Sequence, residues 1–332
     1  MHTIPQIPPL DESTMEDARQ KQAMLRKPQG ALGKLEALSI RLSGMAGRTD
    51  WFPSKRAIFV FAGDHSVQSI PSAMTTAEAV QHILDETGAV NSISRQIGAR
   101  LIMVDVGVNQ HFKPRPRTLV PPIGQEMRKP TFIQRKINMG TNDLTQAPAM
   151  TSDHANKAIQ IGLDAIQEEQ KRGLNLVFLG ALGNGNRLSA TAIISALTGH
   201  SFADDEQVQQ VLAYHQPATE DTLMKLGGYE IGGIVGAILG ATSQRIPVVL
   251  DGLACIAGAL IAYQLNPDVK QYLIAGHQEH EPAHRVALDY LGLDPLLELG
   301  INLGDGTGAL LAYPLIECAM RTLNEIGTSD VG

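Results

Sequence analysis

Five short apolar runs, at residues 57–61, 101–104, 176–179, 248–250 and 272–274, each end at glycine, aspartate or histidine and give way to helix-period segments. The turns after these runs contain Gly63-Asp64-His65, Asp105-Val106-Gly107, Gly180, Asp251-Gly252 and Gly276-His277. A strand without polar alternation has to be covered on both faces, and helices between successive strands make those strands parallel. The sequence therefore predicts an α/β fold, a Rossmann-like parallel sheet with helices on both faces. Ligands of such sheets lie beyond the C-terminal strand ends, where these glycines, aspartates and histidines fall.

A length of 332 residues suits about two domains. Residues 11–44 read as helical, with Ser13 or Thr14 as cap and Met24, Leu32, Leu35, Leu38 and Leu42 as apolar positions around a break at Pro28-Gln29-Gly30. The expected division is a small helical subdomain built from residues 1–50 and a C-terminal helix within 306–332, beside a large α/β domain, 51–305, that holds the cleft. The glycine-rich apolar segment 231–241 is expected to pack closely against another helix, including one across a dimer interface. Between residues 111 and 136 a proline-rich stretch carries Lys113, Arg115, Arg117, Arg128, Lys129, Arg135 and Lys136 against Glu126 alone, and reads as a long surface loop with a local positive field.

A net charge of -7, with only Phe112 and Phe132 as aromatics in that basic stretch, argues against nucleic acid as a partner. Cys255 and Cys318 both fall in apolar helical patterns and read as small buried hydrophobes. The spacing holds no zinc motif, and neither a metal nor a cofactor is expected. The longest apolar stretch, 246–262, is interrupted by Pro247, Asp251, Gly252 and Gly258 and falls short of the roughly 20 residues that span a membrane. Pro5, Pro8 and Pro9, without a basic-then-apolar run, do not make a secretory leader, so a cytoplasmic location is expected.

Two glycine-rich turns stand out as anion sites. Gly304-Asp305-Gly306-Thr307-Gly308 runs into an apolar helix and brings backbone N–H groups and one proton acceptor to a point. Gly180-Ala181-Leu182-Gly183-Asn184-Gly185-Asn186 follows an apolar strand, with Arg187 and Ser189 adding donors. Neither is a Walker loop or a dinucleotide fingerprint. His277, Glu279, His280, Glu281 and His284 have a metal-like composition but lack the helix-defined ligand order, and a loop entering a helix at Glu281-Pro282 is the better reading.

Seven segments in order carry a resemblance. These are Lys27-Pro28-Gln29-Gly30-Ala31-Leu32-Gly33-Lys34-Leu35-Glu36, Phe61-Ala62-Gly63-Asp64-His65, Gly140-Thr141-Asn142-Asp143, Gly227-Gly228-Tyr229-Glu230-Ile231, Pro247-Val248-Val249-Leu250-Asp251-Gly252, Glu281-Pro282-Ala283-His284-Arg285 and Leu303-Gly304-Asp305-Gly306-Thr307-Gly308-Ala309. Over nearly its whole length the chain resembles the nicotinate-nucleotide:dimethylbenzimidazole phosphoribosyltransferases, which activate the lower-ligand base in cobamide synthesis. The resemblance implies transfer of phosphoribose from nicotinate mononucleotide to an aromatic base, giving an α-riboside phosphate and nicotinate.

The resemblance also implies roles. Asp305 takes the place of the glutamate that receives the base's proton, one methylene shorter than in the family. Ala181 replaces a second glutamate, and Arg187-Leu188 replaces paired threonines. Residues 201–220 contain no lysine or arginine where the family carries a lysine near the phosphate, so Arg187 is expected to supply that charge. Ile70 and Glu78 align with a serine and a glutamine of the base pocket, and Glu78 is expected to face the base. Asp64, Leu182, Gly183, Asn184, Gly185, Asn186, Ser189, Asp251, His277, Gly304, Gly306, Thr307 and Gly308 complete the expected substrate contacts. These departures leave two readings open: an enzyme with altered base choice, or a catalytically impaired paralogue that pairs with an active homologue or binds a nucleotide or base. Two-fold homodimers are known in the family, and a homodimer or a heterodimer is expected here.

Overall fold

The computed structural model describes residues 4–67, 74–112 and 129–328. Six strands form one wholly parallel sheet: β1 (Arg56–Gly63), β2 (Arg100–Gly107), β3 (Thr131–Gln134), β4 (Leu176–Leu182), β5 (Val248–Leu250) and β6 (Leu273–Ala275), in the order β3-β2-β1-β4-β5-β6. The helices are α1 (Glu12–Met24), α2 (Lys34–Ala46), α3 (Thr76–Leu84), α4 (Ala89–Gln96), α5 (Ser152–Gln170), α6 (Asn186–Thr198), α7 (Glu206–His215), α8 (Thr222–Leu226), α9 (Tyr229–Ser243), α10 (Leu253–Leu265), α11 (Pro282–Leu291), α12 (Thr307–Leu311) and α13 (Tyr313–Glu325). The chain leaves β1 to one side and returns to the other, which places a topological switch point between β1 and β4.

All five predicted strands form, β5 with the predicted ends and the others with ends shifted by at most three residues; Tyr272 closes a 3-10 turn rather than opening β6. The sixth strand, β3, has no counterpart among the predicted runs. It lies inside the basic stretch read as a loop, at the sheet edge, and its half-exposed side chains lack the apolar run that marks the others. Lys136 just beyond it has its ammonium 2.9 Å from the buried Asp105 carboxylate, so its charge is neutralised locally. Lys113, Arg115, Arg117, Glu126 and Arg128 lie outside the described residues.

Strand parity fixes the layers. A Cβ on Gly233 of α9 would strike the Phe61 ring, whereas one on Gly306 would strike Ile58, and side chains three apart on a strand point to opposite faces. Helix α9 therefore covers one face of the sheet and the segment leading into α12 the other. Helix α9 is apolar all round, as a helix enclosed on every side must be, and α5 packs outside it. The close packing expected of 231–241 thus occurs within the chain. Helices α1 and α2 pack on α13, and the predicted break at Pro28-Gln29-Gly30 separates the first two. Asp11, rather than Ser13 or Thr14, caps α1 by accepting the Thr14 N–H. Cys255 is buried in α10, but Cys318 is exposed on the outer face of α13.

The α5–α9 contact depends on missing side chains: a Cβ on Gly236 would overlap the Ile159 carbonyl oxygen, and one on Gly162 the Gly233 carbonyl oxygen. Backbone atoms cannot swing aside as side chains do. Gly236→Ala is therefore expected to destabilise the chain by about 1–3 kcal/mol through overpacking, read from urea midpoints, and an unchanged midpoint would refute the packing argument.

Candidate active site

A cavity of about 620 Å³ opens at the C-terminal strand ends beside the switch point. Thr75, Thr76, His82 and Ile83 at and within α3 form one wall, and Ala181, Leu182, Gly183 and Asn184 at the end of β4 form the second. Asn186 and Arg187 open α6 there, Leu253 and Ala254 open α10, and Glu279, Glu281, Leu303, Gly304 and Asp305 close the far side. The Asn184 N–H donates to Thr76 Oγ1 at 2.8 Å and joins the first two walls.

The loop bearing Asp305 lies directly on β4. The Ala181 N–H donates to the Gly304 carbonyl at 2.8 Å. A Cβ on Gly180 would overlap the Asp305 carbonyl, so only glycine lets the loop approach this closely. Gly306 has φ +96°, a conformation that L side chains avoid. Asp251, at the end of β5, is almost wholly buried beneath the loop, and its two carboxylate oxygens accept the N–H groups of Gly306 at 2.7 Å and Ala309 at 2.8 Å. Asp305 Oδ1 accepts the Thr307 N–H at 3.0 Å.

Three carboxyl groups gather here with raised proton affinity. Burial pushes Asp251 up to about 8, with the charges of Asp305 and Glu279 adding to it. Burial also lifts Glu279 to about 7, against the lowering effect of the Leu253 N–H that donates to its Oε2 at 2.8 Å. Asp305 is raised by burial, offset in part by its hydrogen bond from Thr307. His284 joins the β5 and β6 ends: the Glu279 N–H donates to its Nδ1, and its Nε2 lies 3.1 Å from the Asp251 carbonyl. Burial drives His284 down to about 4, so the ring is neutral and serves as a clamp.

The cavity brings together Asp305, Gly304, Leu182, Gly183, Asn184, Asn186 and Arg187 from the expected set. Arg187 Nε is 3.2 Å from Glu281 and its Nη1 is 3.1 Å from Asp205, so the cation assigned to a phosphate is paired within the protein. Asp251, Gly306, Thr307, Gly308 and His277 are buried behind the loop and hold it rather than line the cavity; His277 Nδ1 lies 3.3 Å from Asp251. The Ser189 hydroxyl donates to the Leu226 carbonyl inside the core. Gly185 packs on His65 and Val67.

Asp64 faces a neighbouring cavity of about 320 Å³, where it accepts the Asn109 N–H at 2.7 Å. The adjacent His65 is a buried core histidine whose Nε2 lies 2.8 Å from Glu230 of α9, while its Nδ1 has no hydrogen-bond partner among the described residues. Glu78 does not face the cavity: its carboxylate accepts the Thr75 N–H and hydroxyl and caps α3 from the outside. Ile70 lies outside the described residues. Among the described residues no three His, Cys, Asp or Glu side chains are grouped as metal ligands, and the 277–284 segment enters α11 at Pro282 with Glu281 as cap. Glu279 is the wall residue that the sequence left without a role; its place in a histidine-rich loop concealed it.

A buried acid whose folded pKa is raised contributes stability that is present at low pH and is lost as pH rises through that value. Glu279→Gln is therefore expected to become progressively more stabilising, relative to the parent, between about pH 5 and about pH 8, read from urea midpoints at several pH values. A difference between variant and parent that does not change with pH would contradict the burial of this charge.

The sequence profile of a family described as phosphoribosyltransferase matches residues 7–331. The nicotinate-nucleotide–dimethylbenzimidazole phosphoribosyltransferase of Dehalococcoides mccartyi is 38% identical over 355 residues, covering 99% of this chain and 97% of that protein. The protein of the same name from Chloroflexus aggregans is 38% identical over 349 residues, covering 98% and 95%. A crystal structure of nicotinate-nucleotide-dimethylbenzimidazole phosphoribosyltransferase from Thermus thermophilus superposes with a TM-score of 0.85 at 32% identity, over 96% of this chain and 97% of the other. With matching fold, matching length and the glycine loop at the head of the cavity, the chain belongs to the nicotinate-nucleotide:dimethylbenzimidazole phosphoribosyltransferase family.

Proposed function

We propose that the chain is a pentosyltransferase that moves the 5-phosphoribosyl group of nicotinate mononucleotide to an aromatic nitrogen base, with Asp305 as general base. The base nitrogen attacks C1′ of the ribose, the C1′–pyridinium bond breaks with its electron pair returning to the pyridine nitrogen, and the N–H proton of the base passes to Asp305. The products are an α-riboside phosphate and nicotinate. A cationic pyridinium is its own electron sink, so the chain's main tasks are to orient the two rings and accept one proton.

The observation that carries this reading is the position of Asp305, on the cavity wall at the switch point with its proton affinity raised by burial. A proton acceptor works best when its pKa approaches the working pH, and burial moves Asp305 in that direction. The same placement favours the enzymatic reading over the impaired paralogue, for which the carboxylate would have no need to open onto the cavity. Gly304, Leu182, Gly183, Asn184, Asn186 and Arg187 are assigned to the substrate wall, with Asp251, His277, Gly306, Thr307 and Gly308 holding the loop.

The helical subdomain of 1–50 with 306–332, a cytoplasmic location, and a dimer with itself or with a homologous subunit belong to the same proposal. The packing of α1 and α2 on α13 supports the first, and mass measurement in solution tests the last. For the chemistry, nicotinate release from nicotinate mononucleotide is measured with a panel of benzimidazoles, purines and phenols. Asp305→Asn is expected to lower the rate by about 100-fold or more, and Asp305→Glu to retain turnover. Unchanged turnover in Asp305→Asn removes the general-base role, and absence of nicotinate release with every base, in the parent and in Asp305→Glu alike, sinks the transferase reading.

A further inference from the structure

The N-termini of α3, α4, α6, α10 and α11 open on the main cavity and that of α12 lies just behind it, and an α-helix N-terminus is where a phosphate would ordinarily be received. Three of these N-termini are occupied by the protein's own side chains. The Thr75 hydroxyl and Glu78 carboxylate cap α3, and Asp251 and Asp305 together take the N–H groups at the head of α12. Glu279 reaches across from the loop after β6 to take the Leu253 N–H at the head of α10. Helices α4, α6 and α11 lack a side-chain cap, but Asn91 Oδ1 takes the Gly88 N–H ahead of α4, α11 opens on Pro282, and Arg187 of α6 is held between Glu281 and Asp205.

Glu279, Glu281 and Asp305 therefore face a cavity whose basic groups, among the described residues, are the paired Arg187 and His82. With Glu281 offset by Arg187, Glu279 and Asp305 make this wall one that attracts a cation and repels a dianion once Glu279 is ionised, above about pH 7. A nicotinate nucleotide carries both features: the ribosyl-pyridinium is positive, and the 5′-phosphate is close to doubly negative at neutral pH. Removing the phosphate keeps the attraction and deletes the repulsion. Glu279 is the carboxylate best placed to act on this difference, being nearly wholly buried, fixed by the Leu253 N–H at the head of α10 and exposed to the cavity at its wall.

We propose that this cavity also accepts N-ribosylpyridinium donors that bear a free 5′-hydroxyl, and that Glu279 is the specificity-determining residue between riboside and nucleotide. The inference rests on the ribosyl-transfer reading given above. Its chemistry is the same in every bond: the base nitrogen attacks C1′, the pyridine nitrogen leaves with the electron pair, the base's proton goes to Asp305, and the products are an α-riboside and nicotinate.

The test compares kcat/KM for nicotinate riboside and nicotinate mononucleotide with one benzimidazole, in the parent, Glu279→Gln and Glu279→Asp. The parent is expected to use the riboside with kcat/KM within about tenfold of the nucleotide. Glu279→Gln, which keeps an oxygen for the Leu253 N–H but removes the charge, is expected to move the nucleotide-to-riboside ratio about tenfold toward the nucleotide, whereas Glu279→Asp, which keeps the charge, is expected to leave the ratio near the parent's. A merely structural role would lower both donors together and leave the ratio fixed. Turnover of the nucleotide with none of the riboside, or a ratio unmoved in Glu279→Gln, overturns the inference while leaving the phosphoribosyl reading intact; silence with both donors overturns both.

Discussion

The position of the whole Asp305 loop depends on one buried carboxylate. Asp251 ends β5, and its two oxygens take the N–H groups of Gly306 and Ala309, fixing both the loop and the first turn of α12 over the sheet. Its own carbonyl is in turn 3.1 Å from His284, which ties the end of β5 to the loop after β6. His277, in the loop after β6, adds a second tie, 3.3 Å from the Asp251 carboxylate and against Gly308. Without that anchor the alternating glycines would have many conformations available, and Asp305 would have no defined relation to the cavity. An ionised carboxylate this deeply buried, with no lysine or arginine paired to it among the described residues, is unfavourable, and its affinity for a proton rises accordingly.

The sheet is legible in the sequence because its strands are buried on both faces, and burial of that kind is written directly into runs such as Ala57 to Phe61. The turn residue Gly183 is legible for a related reason, since a parallel sheet requires a tight turn into a covering helix at each strand end, whereas the Asp305 loop follows α11 and is legible from its alternating glycines. Strand β3 escapes because an edge strand of four residues needs neither an apolar run nor full cover. Glu78 shows a different failure. Thr75-Thr76-Ala77-Glu78 is a capping box readable from spacing alone, and the family resemblance directs the carboxylate to the base although helix capping already claims it.

Sequence does not supply the pairing of side chains far apart in the chain. Arg187 reads as a phosphate cation because it follows a glycine turn, yet its partners Asp205 and Glu281 stand 18 and 94 positions away. Glu279 reads as one acid in a histidine-rich loop, and only the fold brings it to the first turn of α10. Asp251 and His277, expected to touch substrate, are buried behind the Asp305 loop and do not line the cavity. Spacing identifies which residue types gather at strand ends; it does not separate those that line a cavity from those that support its lining.

The two demands on this cavity pull against each other. Accepting a proton from a base favours an enclosed carboxylate, because removal of water raises the proton affinity of Asp305. Enclosure also strips away the solvent that would screen Glu279, Glu281 and Asp305 from the charge on a phosphorylated donor. A site can satisfy both demands by supplying a fixed, unpaired cation, or by lowering the charge of what it binds. Here the wall arginine is held by two acids, and three helix N-termini are filled by the protein's own side chains, so the first solution is weakened among the described residues. The strength of the proton acceptor and the choice of donor are therefore a single electrostatic property of this pocket, and a change in any one of its carboxylates acts on both.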